Sequence, residues 1–95
     1  MRRNVKVLQG ADHDLAVEVL SPGNTVEEIH EKLVEYFENG ARLAWVIHPT
    51  EHYLLVYRSA VEPDRLLKST DSLDGEDVIP GFTLPVADLF QKLSF

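Results

Sequence analysis

The sequence has no cysteine, which excludes disulfide bonds and cysteine-based zinc sites and fits a reducing compartment. No apolar run approaches the roughly 20 residues that span a membrane, and no apolar segment follows Met1, so no signal peptide is expected. Basic residues are also few: 9 Lys and Arg against 16 Asp and Glu give a formal net charge of −7. We therefore expect a soluble, cytoplasmic protein with no membrane partner.

This acidic balance argues against broad, nonspecific binding of nucleic acid, which needs clustered Lys and Arg. It leaves open DNA binding at one focused site, particularly where a metal cation supplies local positive charge.

Ninety-five residues predict a single domain spanning residues 1–95. The apolar pattern predicts a strand from Asp14 to Leu20, a helix from Val26 to Asn39 and a buried strand from Leu43 to His48. Thr25 and Glu28 have the spacing of a capping box at the start of the helix. Strand, helix and strand over about 35 residues form a crossover unit, so the two strands should be parallel.

The remaining elements complete an α/β fold with a mixed sheet and a helix on one face. We predict a first strand from Asn4 to Leu8 and an antiparallel hairpin strand from His52 to Arg58. The polar stretch from Ser59 to Phe82 is predicted to be mostly loop, with a short extended piece at Leu66 to Lys68. Pro85 should open a short terminal helix that docks on the core.

Glu18 and Asp14 are candidate metal ligands because both carboxylates fall on one face of the predicted strand. Four strand residues separate their backbones by about 13 Å, however. Both oxygens would have to come within about 2.1 Å of one Mg²⁺, which a regular strand does not allow. If Glu18 binds a metal, its partner carboxylate comes from a neighbouring strand or another chain, or there is no partner carboxylate. The alternative is that Asp14 lies in solvent and Glu18 on a half-exposed face.

Lys32 falls at the edge of the apolar stripe of the helix, beside Tyr36. Its ammonium can run along the packed face and reach the end of the sheet. The alternative is a surface pair with Glu28 at i, i+4, worth about 0.2–0.5 kcal/mol.

The other chemically suggestive side chains are weaker candidates. His48 and His52 flank the hairpin turn, but two His without a third ligand make a weak zinc site. Trp45, Tyr53 and Tyr57 are interpreted as core and hairpin packing rather than a platform for stacking bases.

Several linked motifs resemble the Uma-two family of restriction endonucleases, within the PD-(D/E)XK nuclease superfamily. The motifs are "DLAVEVLSPGNT", "EKLVEYFENGARLAWVIHP", "VYR" and "GEDVIPGFTLPVADLF". The resemblance runs from about Gly10 to Phe90 and corresponds to the C-terminal half of the family. It implies a restriction-endonuclease-like fold.

The resemblance also implies roles for the candidate residues. Glu18 would bind Mg²⁺ or Mn²⁺ as the acidic residue of the third nuclease motif. The superfamily's lysine usually lies two residues later, where this chain has Leu20, and Lys32 matches the helix lysine that replaces it in this family. Asp14 matches a recurrent acid with a less certain role. Together these residues would serve phosphodiester hydrolysis in DNA.

The chain also departs from the family pattern. Members are usually about twice as long, and a Pro-Asp strand in their N-terminal half supplies the second metal carboxylate. We expect this chain to lack that half, so a homodimer or a separate partner chain would complete the site, with Asp12 as a weaker substitute. Two hypotheses follow: a Mg²⁺-dependent endonuclease, or an inactive relative that acts as an oligomeric or protein-interaction module.

Overall fold

A computed structural model of the protein describes residues 5–8 and 14–93, and these residues form two helices and two sheets. In chain order the elements are β1 (Val5–Leu8), β2 (Leu15–Val19), α1 (Val26–Glu38), β3 (Leu43–His48), β4 (Tyr53–Tyr57), β5 (Pro63–Lys68), β6 (Ser72–Asp74), β7 (Thr83–Pro85) and α2 (Val86–Lys92). The large sheet has the order β1-β2-β3-β4-β5, and β6 and β7 form a separate pair.

The centre of the sheet is the crossover unit that the sequence predicts. Strands β2 and β3 are parallel, with Glu18 opposite Val46, and helix α1 connects them. Strand β1 pairs antiparallel with β2, and β4 and β5 extend the sheet antiparallel on the other side. The mixed α/β class and the parallel pair are both confirmed.

Helix α1 begins and ends where the sequence indicates. The Thr25 hydroxyl accepts a hydrogen bond from the backbone of Glu28, whose carboxylate accepts one from the backbone of Thr25, which completes the capping box. Asn39 is the C-cap, and Gly40 follows with a φ of 102°, a conformation that glycine adopts without strain. Val26 differs from its place in the apolar stripe: it is 82% exposed, because it occupies the first helical position next to an exposed turn.

The sheet has a different apolar cluster on each face. One cluster is built on Leu15, Val17 and Trp45 and is covered by α2 and the segment before it. The second lies under α1 and consists of Ala16, Leu20, Leu33, Ala44 and Val46, with other side chains partly buried around it. Alternation along β2 therefore gives Glu18 the same face as the α1 cluster.

The segment from residue 59 to 82 is more regular than predicted. It contains β5 and β6, where mostly loop was expected, and β7 follows at once. Five of the six residues of β5 are exposed, so its sequence lacks the apolar alternation that reveals a strand. The terminal helix is confirmed, with Val86 and Phe90 buried.

Neither helix in the described part of the chain combines the length and apolarity that a membrane crossing requires.

Candidate functional site

Glu18 is the one charged side chain among the buried residues that the structure describes, with 3% of its surface exposed. It lies on the α1 side of β2, beside Val46 of the parallel neighbour. Burial of a carboxylate is costly unless hydrogen bonds or opposite charge compensate it. The half-exposed position that the sequence allowed for Glu18 is therefore wrong, and its burial calls for specific partners.

Both partners of Glu18 come from α1. The hydroxyl of Tyr36 donates a hydrogen bond of 2.8 Å to Oε1 of Glu18. The Nζ atom of Lys32 lies 3.9 Å from the same oxygen, and 26% of the lysine side chain is exposed. Residues four apart on a helix project from the same side, so one helical face carries both groups to the carboxylate. The ammonium of Lys32 thus reaches the sheet, which is one of the two alternatives that the sequence allowed for this residue.

The crossover explains why a lysine from the helix can reach this carboxylate. Helix α1 lies across the face of β2 and β3, and its one buried residue, Leu33, packs in the cluster under it. The neighbouring residue Lys32 lies at the side of this contact, with its ammonium 3.9 Å from Glu18 and about a quarter of its side chain exposed.

Burial and the contact with Glu18 both change the pKa of Tyr36. Burial raises the pKa of Tyr36 well above its ordinary range, and the hydrogen bond and negative charge of Glu18 raise it further. Tyr36 thus acts as a hydrogen-bond donor to Glu18.

Asp14 lies apart from this cluster, immediately before β2. Its Oδ1 atom is 3.5 Å from Nε of Arg42, and its backbone carbonyl accepts hydrogen bonds from the amides of Arg42 and Leu43. Arg42 also approaches Asp77, with Nη1 3.7 Å from Oδ2. The structure thus brings together Glu18 and Lys32, and gives Asp14 a different partner at the start of the strand.

The oxygens of Glu18 can offer one ligand position to a hard cation. Oε1 contacts Tyr36 and Lys32, whereas Oε2 has no hydrogen bond or ion pair within residues 14–93. Mg²⁺ commonly keeps several waters and binds one or two carboxylates together with substrate phosphates, so a single free carboxylate oxygen fits part of such a shell. No group of three or more His, Asp or Glu that could hold a metal is found in the described residues.

The surroundings of Lys32 are acidic. Lys32 borders an open depression on α1 whose lining includes Glu28, Glu31, Glu35 and Glu38. A phosphate backbone approaching from this side meets like charge, which disfavours DNA binding unless cations neutralise it.

The two hairpin histidines have separate ring contacts. His48 stacks on Tyr53, with ring centroids 4.2 Å apart, and His52 stacks on Phe90 at 5.1 Å. Burial lowers the pKa of His48. Trp45 is a core residue that stacks on Phe82, which agrees with the packing role predicted from its pattern.

Tyr36 is the residue whose polar contact the sequence did not reveal. Its spacing fits the apolar stripe of α1, and its ring does pack against the cluster under that helix. The sequence feature that could have predicted its hydrogen bond to Glu18 is the position of Tyr36 one helical turn after Lys32, together with a carboxylate on the strand that the helix covers.

Comparison with known proteins finds a matching protein family and similar solved structures. Residues 3–87 match the model of the Uma2 family, described as "Putative restriction endonuclease". The fold is similar to the crystal structure of "a putative nuclease belonging to DUF820" from Anabaena variabilis ATCC 29413, with a TM-score of 0.71 and 23% sequence identity. This match covers 84% of the present chain and 45% of the other, so the chain spans less than half the length of that relative. No curated protein matches.

Proposed function

The chain belongs to the Uma2 family, described as "Putative restriction endonuclease", and on this premise we propose that it carries part of a metal-dependent site that hydrolyses phosphodiester bonds in DNA. The observation that supports this most is the buried carboxylate of Glu18, which faces Lys32 and keeps one oxygen without a partner in residues 14–93. In a fold that needed only stability, an apolar residue at this position would do at least as well.

In this proposal Glu18 would hold a divalent metal, Mg²⁺ or Mn²⁺. Such an ion polarises a phosphodiester and supplies hydroxide at neutral pH. Lys32 stabilises the negative charge that develops on the phosphate oxygens. Its ammonium is suited to this because the 3.9 Å distance to Glu18 exceeds that of a tight charge-assisted hydrogen bond, so it is free to turn towards a phosphate.

The second carboxylate of the site is proposed to come from another chain. Asp14 is paired with Arg42 and lies four strand residues from Glu18, about 13 Å along the backbone. A homodimer or a separate partner would bring the missing ligand. Because a second copy of this chain adds a further net charge of −7, only a separate basic partner or bound cations would bring the positive charge that DNA binding needs.

The experiment is nicking of supercoiled plasmid by the pure chain in Mg²⁺ or Mn²⁺. Glu18→Gln and Lys32→Ala are tested beside the wild type, and Lys68→Ala serves as a matched control on an exposed strand residue. We expect nicking by the wild type and the control, and loss of nicking in both site variants. If the wild type neither nicks DNA nor binds Mn²⁺ in calorimetry, the proposed function is wrong.

A second candidate function is an interaction module without catalysis. The supporting observation is the α1 side of the sheet beyond the helix, where Leu66 is 50% exposed and Leu55 and Tyr57 are only partly buried. Apolar surface of this kind favours contact with another chain. This candidate predicts an oligomer in sedimentation velocity that persists in Glu18→Ala, and a monomer at high concentration would refute it.

A further inference from the structure

The hydroxyl of Tyr36 and the ammonium of Lys32 both approach the same oxygen of Glu18. Tyr36 makes the shorter contact, 2.8 Å to Oε1, and Lys32 lies 3.9 Å away. Oε2 is left without a partner in residues 14–93. Within residues 14–93 the polar contacts of the carboxylate are therefore all made through one oxygen.

Such one-sided contact matters because the last torsion of a glutamate side chain is soft. Its two oxygens exchange places through a broad, roughly two-fold rotation. A donor fixed to one oxygen selects one orientation and presents the other oxygen in a constant direction. The ring of Tyr36 packs on the apolar cluster under α1, so the position of its hydroxyl is set by the fold.

A phenol suits this task better than a second cation. It contributes a hydrogen bond without neutralising the carboxylate, whose negative charge remains available to a metal ion.

We propose that Tyr36 is a positioning residue that holds Oε1 of Glu18 and thereby presents Oε2 to the divalent cation. This inference rests on the proposed function and adds a residue to the site. Tyr36 acts through Glu18 and has no direct part in the reaction.

The test is the binding of Mn²⁺ measured by calorimetry for the wild type and three variants. Tyr36→Phe removes only the hydroxyl, and Glu18→Gln removes the charged ligand. Tyr57→Phe is the matched control, because Tyr57 packs on the same cluster and its hydroxyl donates no hydrogen bond within the described residues. We expect Tyr36→Phe to weaken binding about 10- to 100-fold, Tyr57→Phe to leave it nearly unchanged and Glu18→Gln to abolish it.

A second readout separates positioning from simple stabilisation of the fold. The chain has three tyrosines, so labelling their ring Cζ atoms with ¹³C gives three signals that report on the hydroxyl environment. We expect the Tyr36 signal to shift in Glu18→Gln and when Mg²⁺ is added to the wild type, while the signals of Tyr53 and Tyr57 stay in place. A Tyr36 signal that stays in place when Mg²⁺ is added would contradict the positioning role.

The outcomes distinguish the two proposals. If the wild type binds Mn²⁺ and Tyr36→Phe binds it equally well, the positioning role is overturned and the proposed function stands. If Glu18→Gln binds as well as the wild type, or if neither binds, the proposed function fails and the role of Tyr36 fails with it.

Discussion

Replacing Lys32 by methionine should destabilise the protein through Glu18 rather than through lost packing. Methionine keeps an unbranched stem of similar length and removes the charge. The carboxylate, with 3% of its surface exposed, then keeps the Tyr36 hydroxyl as its one polar side-chain contact within residues 14–93 and has no opposite charge there.

The size of the effect follows from the geometry of the pair. At 3.9 Å and an effective dielectric constant of about 20, two unit charges attract by about 4 kcal/mol. Because 26% of the lysine side chain is exposed, solvent screening and the lysine's own desolvation cancel much of that attraction. The pair is intermediate between an exposed and a fully buried ion pair, so we expect Lys32→Met to lower the free energy of unfolding by about 1–2 kcal/mol. For a domain of this size that lowers Tm by roughly 4–16 °C.

The assay is urea unfolding at pH 7 of a double-mutant cycle formed by Lys32→Met and Glu18→Gln, with Lys68→Met as the exposed control. Once residue 18 is uncharged, Lys32→Met should cost less than about 0.5 kcal/mol, so the coupling energy should be near 1 kcal/mol. An equal cost of Lys32→Met in both backgrounds would refute the ion pair as the source of the effect.

Three further perturbations test other parts of the structure. Gly75→Ala should destabilise the fold by about 1–3 kcal/mol or more in urea unfolding, because the Cβ of the new alanine would collide with the carbonyl oxygen and Cβ of Ile79. Gly23→Ala is the control: a Cβ at residue 23 meets open space, so stability should change by less than about 0.5 kcal/mol. Burial lowers the pKa of His48 below 6.5, so on acidification the histidine is protonated in the unfolded chain first, and the free energy of unfolding falls as the pH drops below 6.5. His48→Phe should therefore lose less stability than the wild type between pH 7 and 5. An identical loss in the two proteins would contradict this. The raised pKa of Tyr36 acts at alkaline pH instead: its contribution to the free energy of unfolding is complete below pH 10.0 and declines at higher pH. The Tm of Tyr36→Phe should therefore fall less steeply with alkaline pH than the Tm of the wild type. An equal fall would show that the phenol titrates normally.

Local sequence rules predicted the central unit of the fold because its signals agree with one another. The capping box at Thr25, the stop at Gly40 and the apolar run of β3 each set one boundary of the crossover. Only the last three residues of β5, Leu66 to Lys68, were predicted to be extended. The rest was missed because β5 is an edge strand with charged and exposed residues, and its pairing with β4 is set by the hairpin rather than by a buried face of its own.

The candidate site was predictable in part. Alternation assigned Glu18 to a face of the strand, and helical spacing brought Lys32 to the edge of α1. Neither pattern could reveal how deeply α1 covers Glu18, because burial depends on the docking of a helix that the strand sequence does not encode. The hydrogen bond from Tyr36 was hidden for a related reason: an apolar ring and a polar tip share one residue, and periodicity detects only the ring.

The lysine of this site is carried by a helix instead of by the strand that carries the carboxylate. Two residues on one strand keep a separation that covalent geometry fixes, but Glu18 and Lys32 are related by the rotation of α1 about its axis. One residue inserted between Thr25 and Lys32 would turn the ammonium by about 100° and move it about 1.5 Å along the axis. It would turn Leu33 and Tyr36 by the same angle, away from the apolar cluster on which they pack. Insertions and deletions in this half of α1 are therefore a route by which the lysine could be separated from the carboxylate, or returned to it, with the strand sequence unchanged.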